Sequence, residues 1–416
     1  MIVRELRPGI HALMAIDWHR KLFDELVPLP EGTSYNAYVV VGSEKTALID
    51  TVHPSMTAGF MAALRSLGLK TIDYIVSNHA EPDHAGSIAA VLAEYPQARV
   101  LANVKCRSLL VAGQGIKPEA VTLIKDQQTV SLGDRLLRFM WVPWVHWPDT
   151  TFTYVEQDRV LFSCDFLGAH LATSDLYADD EARVERAARM YYAEIMMPYR
   201  EHVRKYTDQL LALPIDLIAP SHGPVHRRPP FILQLYRDWA SHEVRPKVVI
   251  PYLSMYESTT RMVEHLIDQL MARGIAVQPF NVVDLDSGRF AAELVDASTL
   301  VFGSPTVLDG PHPAMASAAY LTNALKPKAR FGGIIGSYGW GNDAMQVSLA
   351  GMLPNVAVQW FAPVVAGGVP KAENLAALDQ LAGQIAQGPR RAAIATGHGV
   401  VVIAGAFAYP RIFSAR

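Results

Sequence analysis

His79-Ala80-Glu81-Pro82-Asp83-His84 puts two imidazoles and two carboxylates into six residues, directly after the apolar run Ile72–Ser77. Groups of this kind, crowded together, repel or desolvate one another unless something binds them. A cation held by nitrogen and oxygen donors resolves the conflict; a solvated polar loop is the alternative. Pro82 argues against a regular helix interior, so the segment reads as a strand end breaking into a loop. Three further polar residues close apolar runs: His146 in His146-Trp147-Pro148-Asp149, Asp165 after Phe162-Ser163-Cys164, and His222 in Pro220-Ser221-His222-Gly223. Each alone is more often a satisfied structural residue, but in this order they read as parts of one metal site. His170, just beyond Asp165, is a candidate for its surroundings or for an occasional ligand, and Cys164 reads as buried packing.

A second group of residues suits a phosphate and a flat ring. The strand Val248–Leu253 runs into Ser254-Met255-Tyr256-Glu257-Ser258-Thr259-Thr260, whose hydroxyls and N–H groups at a helix start form either a phosphate cradle or an N-cap. It lacks the glycines of a dinucleotide fingerprint and the Lys-Ser/Thr of a P-loop. Two more loops fall where a doubly wound sheet binds its ligand. One is Gly303-Ser304-Pro305-Thr306-Val307-Leu308-Asp309-Gly310, and the other is Gly336-Ser337-Tyr338-Gly339-Trp340-Gly341. Aromatics in the latter can cover an isoalloxazine ring while its glycines let the backbone approach. Together the loops point to flavin mononucleotide (FMN), with contacts from Ser254, Met255, Glu257, Ser258, Thr259, Ser304, Pro305, Thr306, Val307, Leu308, Asp309, Ser337, Tyr338, Gly339, Trp340 and Gly341. Trp340 either lines an electron route or simply packs.

The elements around these residues change character along the chain. Up to about residue 245, short strands (Ile10–Ala15, Tyr35–Val41, Thr46–Asp50, Ile72–Ser77, Arg99–Ala102, Leu136–Val142, Thr151–Glu156, Arg159–Ser163) are interspersed with helices. This pattern predicts antiparallel sheets covered by helices. From Arg245-Pro246-Lys247 onward, five strands alternate with five helices, the last strand expected over Ala357–Val365. That is the signature of a doubly wound parallel sheet. The chain has 416 residues, half of them apolar, and a net charge of -3, so it is neither disordered nor equipped to grip a nucleic-acid backbone. Two cysteines exclude a disulfide framework and a four-thiolate cluster, leaving fourteen histidines as the metal-binding resource. The N-terminus lacks a signal-peptide core, and no apolar run reaches the ~18 residues that would span a bilayer, so a cytoplasmic location is expected.

The order of metal-binding motifs resembles the metallo-β-lactamase fold, whose usual first motif is His-x-His-x-Asp-His. Here Glu81 takes the place of the second histidine, and a harder, more anionic donor set favours iron over zinc. With His146, Asp165 and His222, the set is similar to the diiron centre of the flavodiiron proteins (A-type flavoproteins), and the serine- and threonine-rich loop resembles that of flavodoxin. The resemblance implies an αββα metallo-β-lactamase-like sandwich over residues 1–245 and a flavodoxin-like, doubly wound FMN domain over 246–391. Residues 392–416 would form a tail of unassigned role. It implies two irons, one on His79, Glu81 and His146, the other on Asp83, His84 and His222, bridged by Asp165. It further implies reduction of dioxygen to water or of nitric oxide to nitrous oxide, in a head-to-tail homodimer or dimer of dimers. Electrons would come from a separate donor such as rubredoxin, a rubredoxin-like protein, a flavin reductase or a reduced deazaflavin. Two other readings stand beside this one: a zinc hydrolase fused to a flavodoxin domain, and a non-catalytic FMN electron carrier.

Overall fold

The computed structural model describes residues 1–340 and 344–395. The expected flavin contact Gly341, its neighbours Asn342 and Asp343, and the tail from residue 396 onward lie outside the described residues.

The first half is two sheets packed face to face. One is seven-stranded, in the spatial order Ile2–Arg7, Ile10–Asp17, Thr33–Val41, Thr46–Ile49, Tyr74–Val76, Arg99–Ala102, Val121–Leu123. The other is five-stranded, in the order Thr129–Ser131, Leu136–Trp141, Thr151–Val155, Val160–Cys164, Leu217–Pro220. Val40, Ile49, Val76 and Leu101 of the first meet Phe139, Val155, Phe162 and Leu217 of the second in one buried cluster. The outer face of the first sheet packs against the helices Thr57–Ser66, Ile88–Glu94 and Val104–Gln114. The outer face of the second packs against Glu181–Tyr191, Arg200–Leu211 and Pro229–Ala240. Layer order is therefore αββα, as expected. The antiparallel reading of these sheets needs correction. Thr46–Ile49, Tyr74–Val76, Arg99–Ala102 and Val121–Leu123 run parallel, and Val160–Cys164 is parallel to Leu217–Pro220. Each parallel step is made through a connection that carries a helix or a site loop, which is how parallel neighbours must be joined.

The second half is a sheet in the parallel order Ala276–Asn281, Arg245–Tyr252, Ala297–Val307, Phe331–Tyr338, with Gln359–Trp360 and Val364–Gly367 both along the last and the two-residue strand Gly310–Pro311 antiparallel to the end of Ala297–Val307. This is the flavodoxin-like 2-1-3-4-5 order, which leaves a crevice at the carboxyl ends beside the first and third strands. The expected continuous strand Ala357–Val365 is instead two short strands, because Pro363 between them has no N–H for the ladder. Helices cover both faces. The Ser258–Met271 and Ala372–Ala395 helices lie on one side. The core on the other side is continuous with the outer helical layer of the first half. Asp296 locks that junction polar-side, meeting Arg189 of the first half at 2.9 Å and Lys247 of the second at 2.5 Å.

Candidate metal centre

The chain leaves the Tyr74–Val76 strand extended, so His79 and Glu81, two residues apart, point the same way. Pro82 then begins a one-turn helix, Pro82–Ala85, instead of the loop expected from the sequence; as its first residue, proline lacks only an N–H that would have no partner there. The helical turn swings Asp83 and His84 to a second position. Asp165 follows a strand that ends at Cys164 in a left-handed backbone conformation (φ 52°), and His222 follows Leu217–Pro220 on the neighbouring strand.

All seven residues converge at this end of the sandwich, in two groups that could each hold a metal ion: His79, Glu81, His146 and Asp165, and Asp83, His84 and His222; a third, overlapping group joins Cys164 to His84 and Asp165. Asp165 faces both of the first two. Its Oδ2 lies 3.8 Å from His79 Nε2 and 3.5 Å from His146 Nε2, and its Oδ1 lies 3.0 Å from His84 Nε2 and 3.2 Å from His222 Nε2. Glu81 Oε2 is 3.1 Å from His79 and 3.4 Å from His146, while the Asp83 oxygens are each 3.3 Å from His84 and His222. Six of the seven are buried, and His146 is nearly so.

Neither Asp83 oxygen and neither ring nitrogen of His84 finds a hydrogen-bond partner in this buried pocket. Leaving such groups unsatisfied is costly, and a cation is what that arrangement lacks. The protein's own charges agree. Burial alone would lower the histidines, but the carboxylates outweigh it: Asp165 and Glu81 push His146 up to about 9, and Asp165 and Asp83 push His222 up to about 10. Burial would raise Asp165, yet the charge on His84 and hydrogen bonds from His146 and His222 hold it well below the carboxylate range. Bound metal ions would take the place of those protons.

Three supporting residues were not singled out in the sequence. Asp149 accepts the Nδ1–H of His79 at 3.0 Å and the N–H of Ala80 at 2.9 Å, which leaves His79 Nε2 for the centre. The Tyr191 hydroxyl donates to Asp165 Oδ1 at 2.9 Å. The Ser34 carbonyl fixes His222 in the same way through Nδ1, at 2.7 Å. His170 belongs to neither donor group. It is paired with Thr33 Oγ1 at 2.9 Å, its ring centre lies 4.9 Å from that of His222, and burial with the His222 charge keeps it neutral. Cys164 and Cys106 are buried free thiols.

At the carboxyl edge of the parallel sheet, a cleft of about 400 Å³ is lined by Met255, Ser258, Pro305, Thr306, Ser337, Tyr338, Gly339 and Trp340, all expected flavin contacts. Tyr256, Gly368 and Val369 line it as well and were not expected to. Ser254 Oγ is buried beside it without a partner, and Thr259 Oγ1 is 3.1 Å from Ser337 Oγ. Glu257 stands outside the lining, as a left-handed residue (φ 67°) opening the Ser258–Met271 helix. Ser304 turns inward to the Pro305 carbonyl, and Val307, Leu308 and Asp309 form the strand end and the turn beyond, with Leu308 87% exposed. Trp340, 70% exposed, stands at the rim.

An αββα sandwich that gathers two donor groups around one shared carboxylate, followed by a flavodoxin-ordered sheet with a cleft at its carboxyl edge, defines a dimetal lactamase-fold protein with an attached flavodoxin-like half. Residues 33–223 match the ODP family beta lactamase model. The chain is 34% identical to a nitric oxide reductase of Moorella thermoacetica, over 91% of this chain and 96% of that one. It is 31% identical to a rubredoxin-oxygen oxidoreductase of Megalodesulfovibrio gigas, with the same coverage. The solved rubredoxin oxygen:oxidoreductase of Desulfovibrio gigas superposes with a TM-score of 0.90 at 30% identity, covering 95% of this chain and all of that one. The Giardia intestinalis flavodiiron protein superposes at 0.84 with 25% identity, covering 94% and 97%. The chain belongs to the flavodiiron proteins, a family of oxidoreductases.

Proposed function

We propose that this protein reduces dioxygen to water or nitric oxide to nitrous oxide at a diiron centre, with electrons arriving through FMN. The observation that carries this reading is the division of the Asp165 carboxylate between two buried donor groups, one oxygen to each. His79, Glu81 and His146 would hold one iron, Asp83, His84 and His222 the other, with Asp165 between them. Iron bound there would supply open positions for a small gas and electrons to reduce it, and FMN in the second half would supply one-electron transfer. The remaining work falls to the chain. Asp149 and the Ser34 carbonyl hold two imidazoles in one tautomer, and the Trp147 ring, 4.9 Å edge-on to His79, keeps water from that ligand. In the second half, the Ser258 and Thr306 hydroxyls and the N–H groups of the Ser258–Met271 helix start suit a phosphate, and Tyr338 and Trp340 suit a ring.

The proposal extends to organisation. A division at 245/246 is supported by the parallel sheet beginning at Arg245, and residues 392–416 receive no role. The metal centre and the flavin cleft lie on different halves, and a head-to-tail dimer would bring one subunit's flavin to the other's irons. Exposed apolar side chains near both, Leu22, Leu26 and Trp144 on one half and Met255, Leu308 and Trp340 on the other, support this reading. The donor would be a separate rubredoxin-like protein or flavin reductase; the name of the Megalodesulfovibrio relative gives rubredoxin for that protein. Among the described residues no helix is long and apolar enough to cross a membrane, and a cytoplasmic location is proposed.

Replacing Glu81 by alanine tests the assignment. The variant should lose iron and reduction of both gases while keeping FMN at one per chain. Undiminished turnover of dioxygen and nitric oxide in Glu81→Ala would overturn it.

A further inference from the structure

Away from both sites, a cleft of about 570 Å³ opens where the two halves meet. Its wall from the first half is the start of the Arg200–Leu211 helix; its wall from the second is the Lys326–Arg330 loop that leads into the Phe331–Tyr338 strand. The flavin cleft lies at the opposite end of that same eight-residue strand, roughly 25 Å away by strand rise.

Four cations line the cleft, Arg200, Lys326, Lys328 and Arg330, against one carboxylate, Glu201. Arg204 holds that carboxylate at 2.7 Å; Arg200 Nε and His242 Nε2 stand farther off, each 3.9 Å from it, and Arg200 Nη1 donates to the Lys326 carbonyl at 3.5 Å. Lys328 and Arg330 are fixed in place by backbone carbonyls: Lys328 Nζ donates to Asp238, Trp239 and Ser241 at 3.5, 3.1 and 2.9 Å, which uses its three N–H groups, and Arg330 donates to His242 at 3.1 Å. These contacts orient both side chains without neutralising them. Arg200 Nε is buried and has no hydrogen-bond partner. The Arg200–Leu211 helix continues directly from the Met197–Tyr199 turn, and the Arg200 N–H is already bonded to the Met197 carbonyl, so the donors this wall offers are side chains. The crowding of charge also shows in Lys328, which burial and then the Arg200 guanidinium lower to about 8.

We propose that this cleft binds a phosphate-bearing small molecule, held by Arg200 from one half and by Lys326 and Arg330 from the other, with Lys328 adding its charge. Its volume lies within the range of small-molecule sites, and guanidinium and ammonium groups are the donors that suit phosphate oxygens. An occupant would contact both halves and so brace the junction between them. Free phosphate and a nucleotide phosphate share this chemistry.

Isothermal titration of the iron- and FMN-loaded protein at low salt with inorganic phosphate, pyrophosphate and AMP tests the proposal, because FMN then fills its own cradle. The comparison protein is Lys326→Glu; the Lys326 side chain is exposed and makes no ion pair among the described residues, so the fold should persist. Saturable binding, one per chain, that weakens about tenfold or more in Lys326→Glu is the expected result, the loss of one charge-assisted contact. AMP binding tighter than phosphate would identify a nucleotide site, and equal affinities a site for the free anion. No saturable binding of any of the three, or binding unchanged in Lys326→Glu, would overturn the proposal.

Discussion

Asp165 serves two donor groups because its carboxylate lies edge-on between them, and Tyr191 restrains it from outside through Oδ1. Residues one step out decide how well such donors hold a metal. Asp149 accepts from both His79 and the Ala80 N–H while itself fully buried, so it fixes ring and backbone together. Asp149→Ala should therefore lower affinity at the first metal position by roughly 10–100-fold, the usual effect of removing such a partner. Competition with a calibrated chelator measures this, and FMN content should stay at its wild-type level. Unchanged affinity would mean that His79 needs no orientation. All seven proposed ligands were legible in the sequence because each closes an apolar run and four share a six-residue motif. Tyr191 was not, since nothing in Ala187-Ala188-Arg189-Met190-Tyr191 distinguishes a core tyrosine from one that reaches a carboxylate 26 positions earlier. Asp149 stood in plain view beside His146, but its partner His79 is distant in sequence and only the fold joins them.

At the scale of elements, the turn after the Glu181–Tyr191 helix is the joint between the halves. The helix loosens into a π turn, Tyr192–Met196, that carries Glu194 against Gly288 of the second half and beside Leu26 and Val27 of the hairpin formed by Leu22–Phe23 and Val27–Pro28, whose Phe23 ring centre lies 6.3 Å from that of His222. Glu194 Oε1 is buried without a partner, and burial with the nearby charge of Asp286 pushes its carboxyl up to about 8. A raised carboxyl keeps its proton in the fold, while the unfolded chain releases it above its ordinary value. The unfolded state thus binds fewer protons, and stability falls as pH rises from about 4.5 to about 8. The cost is on the order of 3 kcal/mol at neutral pH. Glu194→Gln removes the ionisation, so its urea midpoint should change less between pH 5 and pH 7.5 than the wild-type midpoint, and exceed it at the higher pH. Parallel curves would show that Glu194 is ionised in the fold. Element positions were largely legible from apolar periodicity, and strand direction was not. Thr46–Ile49 and Tyr74–Val76 are short apolar runs that look alike whether their neighbour is parallel or antiparallel. Pro363, visible in the sequence, was the signal that should have divided the last strand.

For the whole molecule, the two sites sit on different halves of one chain, and function in a dimer would join them across subunits. Mixing Glu81→Ala subunits with subunits that lack FMN binding, such as a Ser258→Asp variant, tests this directly. Neither parent should reduce gas, and a dissociated and reassociated mixture should recover up to about a quarter of wild-type turnover, since half the dimers are mixed and each has one intact pair. No recovery, with mixed dimers demonstrated, would place flavin and irons in one subunit. The claim beneath all of these is the cofactor content. Metal analysis and the visible spectrum of the purified protein, on the same sample, should give two irons and one FMN per chain. Two zincs per chain, or FMN without metal, would contradict the account.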